Sequence, residues 1–239
     1  MRRTRRALAV AIAVAPAAWK PALYRWLLGY EVATSARIGM SVIDVGACRI
    51  GPGVSIGHGN LIIDIRSIVI GDHVRIGHLN LLRGGDEIAI GRYAEILRRN
   101  ELNSIPDAEV VNSADPRLDI GPGAVITDGH RIDFTDRVEI GRRAIIGGRN
   151  SSLWTHNRQR TAPLRVGEFA YVASEIRMTP GAAVPARSIV GVGSVVVDDL
   201  AEHVGTLIAG VPAKVLKPLS EHDQYLVERK TRADLPDDV

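Results

Sequence analysis

Seven histidines, His58, His73, His78, His130, His156, His203 and His222, carry the side chains whose ordinary titration falls near neutrality, so they are the first candidates for proton transfer. Two of them have chemistry-bearing neighbours. His156 sits in Thr155-His156-Asn157, inside the irregular stretch 153–165. His130 opens His130-Arg131-Ile132-Asp133, where Asp133 is placed to orient either imidazole. A histidine base of this kind takes the proton from a hydroxyl or amine as that group attacks a carbonyl, while nearby N–H groups hold the oxyanion. The blander alternatives stay open: His156 as an exposed loop histidine, His130 as a corner histidine hydrogen-bonded by Asp133. No Ser/His/Asp or Cys/His set is legible, so direct attack is expected rather than a covalent enzyme intermediate. The one cysteine, Cys48, excludes a disulfide within the chain, a redox pair and a cysteine cluster for zinc or iron–sulfur, and fits a cytoplasmic address.

The elements that position these residues follow from composition and spacing. The 239 residues are 46% hydrophobic, yet hold only 3 Trp, 5 Tyr and 2 Phe against 24 Gly, so the core must be built of Ala, Val, Ile and Leu. Aliphatic-Gly pairs recur at Ile38-Gly39, Ile50-Gly51, Ile56-Gly57, Ile70-Gly71, Ile76-Gly77, Ile90-Gly91, Ile120-Gly121, Ile140-Gly141 and Ile146-Gly147. Their spacings are multiples of six with occasional steps of two, and Val166, Val172, Met178, Val184, Val190 and Val196 keep the six-residue phase. A helix face needs apolar residues every three or four positions, so this is a strand-and-corner signal. It reads as an all-β triangular solenoid of hexapeptide repeats: short parallel strands form the faces, the aliphatics fill the axis, and glycine takes corners where a side chain would be strained. Two irregular stretches, 103–118 with Pro106, Asp107, Asp115 and Pro116, and 153–165, interrupt it. What remains makes roughly seven coils, about 34 Å of prism.

The chain divides into an N-terminal arm over 1–35, the solenoid over 36–200, and a cap and tail over 201–239. Residues 1–30 hold Arg2, Arg3, Arg5, Arg6, Lys20 and Arg25 and no acid. With a total charge of +3, the remainder is mildly acidic and gives no reason to expect nucleic-acid binding. The apolar run Ala7 to Ala18 is too short to span a bilayer, which takes about 20 residues. Three readings of the arm, expected to be helical, stand side by side: an export signal, an interfacial segment over residues 2–30 with arginines on anionic headgroups, and a helix that merely caps the core. After Leu219 the tail reads as a short helix followed by disorder.

The repeat, together with the block Ser188 to Leu219, resembles the hexapeptide-repeat acyltransferases over about residues 36–217. Within that family the run from His130 to His156, with His130-Arg131-Ile132-Asp133 and a later Thr155-His156, is similar to polysaccharide-linked and sugar O-acetyltransferases. The resemblance implies a left-handed parallel β-helix with short helical segments at both ends, a homotrimer, and acetyl-CoA as donor. It also implies transfer to a hydroxyl, or less readily an amine, of a saccharide or glycan precursor; an interfacial arm would suit a lipid-linked acceptor at the cytoplasmic membrane face. His156, His130 and Asp133 are then the catalytic candidates. Ala173 and Ser174 are expected to supply oxyanion N–H groups and, with Gly191, Gly193, Ser194 and Lys214, to line the coenzyme groove. Asn150, Trp154 and Arg158 are expected to bind acceptor. The alternative for Lys214 is a solvated side chain beyond a helix-capping turn ended by Pro212. A non-catalytic scaffold is the reading from another class. Zinc-dependent γ-carbonic anhydrases share the solenoid, but in Gly77-His78-Leu79-Asn80-Leu81-Leu82-Arg83-Gly84 their second histidine ligand is Arg83, which cannot bind zinc, so no metal is expected.

Overall fold

The computed structural model describes residues 2–105 and 114–239; Pro106 and Asp107 of the first irregular stretch lie outside them. Strands of two to five residues stack into three parallel sheets, the faces of a triangular β-helix. The first face runs from Glu31–Val32 to Ala183–Val184, the second from Arg37–Ile38 to Ile189–Val190, and the third from Val42–Asp44 to Val195–Val196. Each face has one strand per coil and there are eight coils, one more than the repeat suggested. The solenoid begins at Glu31, ahead of the first Ile-Gly pair, and the ends of both irregular stretches prove to be strand: Asn103 closes Glu101–Asn103, Arg117 and Leu118 open Arg117–Ile120, Leu153 and Trp154 close Ser152–Trp154, and Leu164 and Arg165 open Leu164–Val166.

Register explains the six-residue phase. On the first face Val32, Ile50, Ile70, Ile90, Ile120, Ile140, Val166 and Val184 stand directly above one another. Ile38 to Val190 and Ile43 to Val196 make the matching columns on the other faces. All are buried, so the core is a continuous rod of branched aliphatics whose transfer from water holds the coils together.

The paired glycines serve a different need from the expected one. A Cβ on Gly51 would lie 2.4 Å from Asp72 Oδ1, and one on Gly77 would lie 2.0 Å from the carbonyl oxygen of Leu97. Close stacking of one coil on the next excludes the side chain. The left-handed corner residue comes two positions later and is often not glycine, as at His73, Tyr93 and Arg143.

Two helices, α1 (Arg2–Val14) and α2 (Lys20–Leu28), close the first coil, with Ile12 and Tyr24 completing the end of the core. The far end is closed by a hairpin rather than a helix. Strand Thr206–Gly210 continues the second face in parallel beside Ile189–Val190, turns at Val211-Pro212, and pairs antiparallel with Ala213–Pro218. Beyond it α3 (Glu221–Glu228) is capped by Ser220 Oγ, which accepts from the Asp223 N–H at 3.2 Å.

The last residues do not trail into solvent as the polar sequence suggested. They fold back along the corner between first and second faces, where Arg232 lies over Tyr93, 5.5 Å from the ring centre, and Leu235 and Val239 are buried. Arg75 to Asp234 at 3.2 Å and Arg92 to Asp238 at 2.7 Å fasten the strap.

Candidate active site

The sixth coil leaves the prism after Trp154. Thr155 to Ala162 form a small hairpin in which the Ala162 N–H donates to Thr155 O at 2.9 Å and His156 bridges Thr161. At its tip Asn157 Oδ1 accepts from the N–H groups of Gln159 and Arg160, both at 2.8 Å, so the excursion is a built turn. The hairpin carries His156 over the end of the third face.

There the register supplies its partner. Leu102, Ile132 and Leu153 are stacked inward residues, so the outward residues that follow them, Asn103, Asp133 and Trp154, form a second column at the edge of the face. Asp133 Oδ2 meets His156 Nδ1. Its other oxygen accepts from the Thr135 N–H at 3.0 Å and Thr135 Oγ1 at 2.6 Å. Fully buried Thr155 accepts from the Asp136 N–H at 3.0 Å and donates to Asp133 O, also at 3.0 Å. An ionised carboxylate only accepts, so beside one, Nδ1 donates its hydrogen and Nε2 holds the ring's lone pair. The pair lines a cleft of about 520 Å³ with Asn103, Trp154, Thr179 and the Glu101–Arg131 ion pair, whose closest approach is 3.2 Å.

His130 lies in a different place. It belongs to a buried ladder along the corner between second and third faces, running from Ser41 through Asn60, Asn80 and Asn100 to His130 and Ser151. Its Nδ1 accepts from the Ser151 N–H at 3.2 Å, so Nε2 carries the hydrogen toward Thr127 Oγ1 at 2.9 Å. Burial lowers its pKa to about 4. Both ring nitrogens are occupied within the protein, His130 does not line the cleft, and Asp133 orients His156 alone of the two.

The remaining predicted residues divide between two edges. Trp154 stands in the cleft, and Arg158 is exposed at the hairpin tip outside it. Asn150, Ser174, Gly191, Gly193 and Ser194 occupy the corner between second and third faces, where Ser174 O accepts from the Gly193 N–H at 3.1 Å and Asn150 O accepts from Arg177 at 2.6 Å. Ala173, expected to offer its N–H to an oxyanion, donates it to Val190 O at 3.1 Å as part of the ladder. Ser194 Oγ is tied to Gly191 O at 2.7 Å, and Lys214 pairs with Asp198 at 3.0 Å. Asn103, Glu101, Arg131 and Thr179 were missed by motif reading. Writing the hexapeptide phase out coil by coil places Asn103 directly beside Asp133. Among the described residues no group of three or more His, Cys, Asp or Glu could hold a metal ion.

No family model matches the chain. It is 30% identical over 115 residues, 46% of this chain and 35% of the relative, to serine acetyltransferase 2 of Arabidopsis thaliana. Over 63 residues, 26% of this chain and 30% of the relative, it is 29% identical to galactoside O-acetyltransferase of Escherichia coli K12. The chain therefore spans about a third of the length of the curated relatives it matches. Among solved structures, a hexapeptide-repeat acetyltransferase of Vibrio cholerae complexed with acetyl coenzyme A shares 16% identity, with 92% of this chain and 89% of that chain covered and a TM-score of 0.39. Both sequence matches are to acetyltransferases, in keeping with the resemblance that the repeat carries.

Proposed function

We propose that this chain is an acetyl-CoA-dependent O-acetyltransferase acting on a saccharide or glycan precursor, with His156 as general base and Asp133 as its orienting partner. The observation that carries the reading is the Asp133–His156 pair at the wall of an open cleft. An acceptor hydroxyl bound there gives its proton to His156 Nε2 while its oxygen attacks the thioester carbonyl. The tetrahedral intermediate then collapses, the C–S bond breaks, and the coenzyme A thiolate leaves, taking the proton back from the imidazolium. The imidazolium is stabilised meanwhile by the Asp133 carboxylate, which Thr135 holds in place. Trp154 offers a flat apolar surface for a sugar ring, and Asn103, Glu101 and Arg131 offer hydrogen bonds to its hydroxyls.

The donor is read onto the neighbouring corner, where the small residues Ser174, Gly191 and Gly193 leave room for a pantetheine arm; open space surrounds Gly193. That corner and the catalytic pair stand on two edges of one prism. A homotrimer with prisms side by side would bring one chain's cleft against the donor corner of the next. His130 is read as a positioning residue that rigidifies the coil bearing Asp133.

Calorimetry with acetyl-CoA on the wild type and on His156→Ala, paired with thioester turnover on a panel of saccharides, tests the reading. Micromolar binding in both proteins with turnover lost in the variant supports it. Absence of binding in either removes the transferase and leaves a solenoid that assembles partners.

A further inference from the structure

The four described bases of the helical cap, Arg5, Arg6, Lys20 and Arg25, each bond to the prism. Arg5 donates to Val45 O at 2.7 Å, and Arg6 pairs with Asp44 and Asp64 at 2.8 and 2.6 Å. Lys20 is buried, with its ammonium on Ala13 O and Gly39 O at 2.8 and 2.6 Å, and Arg25 donates to Val32 O at 2.9 Å. Ala9, Ile12, Ala13 and Tyr24 supply the apolar contact with the first coil. Beside Thr4 and the partly exposed Arg5 and Arg6, much of what the described cap leaves in water is apolar. Val10, Val14, Trp19, Trp26 and Leu27 are all exposed, Val14 at 73% and Trp26 at 87%, and no charged residue interrupts the sequence from Ala7 to Trp19.

Large exposed apolar side chains concentrated on one small element mark an interaction site. Tryptophan is the residue of the water–hydrocarbon boundary, where its ring is buried and its N–H stays wet. Neither α1, of 13 residues, nor α2, of 9, reaches the length of a membrane span, and no helix among the described residues is long and apolar enough to cross. Residues 2–30 carry six bases and no acid, and Asp44 and Asp64 offset the two of them at Arg5 and Arg6. By sequence the segment keeps a net positive charge, the sign that suits an anionic bilayer surface.

We propose that the outer face of this cap is a docking surface for a lipid bilayer, lying in the interface and held mainly by insertion of Trp19, Trp26, Val14 and Leu27. Of the arginines that the sequence offers to headgroups, Arg5 and Arg6 do other work: they fasten α1 to the prism, and charge contributes the secondary part of binding.

Co-sedimentation of the full chain with phosphatidylcholine vesicles containing a minority of phosphatidylglycerol tests this at low and high salt. The wild type should sediment, and high salt should weaken binding without releasing the protein. Trp19→Ser/Trp26→Ser, with an unchanged melting temperature, should bind at least about tenfold less, from the apolar area lost at two rings. Failure of the wild type to sediment overturns the proposal. So does complete release by salt with the double variant binding like the wild type, which would return the contact to headgroup charge. A fall in the light-scattering mass of the double variant without vesicles would assign the face to a second copy of this chain. The vesicle readout involves no acyl transfer, so it stands or falls apart from the catalytic reading.

Discussion

His130 immediately precedes, and Asp133 ends, the three-residue strand Arg131–Asp133, yet the two sides of that strand do different physical work. At the corner, His130 is sealed in a ladder of amides and hydroxyls that runs from coil to coil. At the far end, Asp133 reaches the rim, where a hairpin brings down an imidazole with one nitrogen left to react. Under the proposed reading, the histidine whose two nitrogens are both bonded inside the protein is architecture, and the one bonded through Nδ1 is the base. The difference is set by where each residue falls in the coil.

The largest expected effect separates the two histidines directly. His156→Ala should lower kcat about 10²- to 10⁴-fold, the range for loss of a general base, with the melting temperature unchanged. If His130→Asn costs as much turnover as His156→Ala, the division between corner and rim is wrong. Asp133→Asn should follow with a loss of about 10²-fold in kcat and little change in KM for the donor. The amide can still accept from Thr135 but no longer stabilises the imidazolium.

The corner predicts a stability signal in place of a rate signal. The His130 pKa of about 4 in the folded chain lies below the ordinary value of 6.5. As pH falls from about 6.5 the unfolded chain takes up a proton that the folded chain refuses, so stability declines until about pH 4 and is level again below it. The span corresponds to about 3 kcal/mol. Denaturant titration across that window, wild type against His130→Asn, reads it: the variant should lose this pH dependence while staying within about 1 kcal/mol of the wild type at neutral pH, because asparagine already fills the same corner at Asn60, Asn80 and Asn100.

That repetition also shows what was legible in the sequence. The prism was, since one aliphatic per six residues admits no other regular structure. The His156–Asp133 pairing was half legible: both residues stood out, but Asp133 appeared to serve either imidazole until register put it at the rim. Asn60, Asn80 and Asn100, spaced by 20, with His130 at the next corner after a longer coil, were the sign that His130 belonged to a ladder; aliphatic periodicity drew attention away from the polar one. The folded-back tail left no comparable trace. Its partners, Arg75, Arg92 and the ring of Tyr93, lie more than 130 residues away, and nothing local in a polar segment announces an ion pair with them.

The smallest effect sharpens the rim itself. Thr155 touches neither the cleft nor Nε2; its hydroxyl joins the Asp136 N–H to Asp133. Thr155→Val keeps the shape and removes both bonds, at an expected cost of about 1 kcal/mol in stability and a severalfold fall in kcat. Thr155→Ser keeps the hydroxyl and should restore the rate even where the missing methyl leaves the melting temperature low. Rate and stability moving together in both variants would reduce Thr155 to a packing residue. Rate following the hydroxyl while stability follows the methyl would make it the residue that fixes where Asp133 stands, and so would extend the rim's catalytic apparatus one layer into the prism.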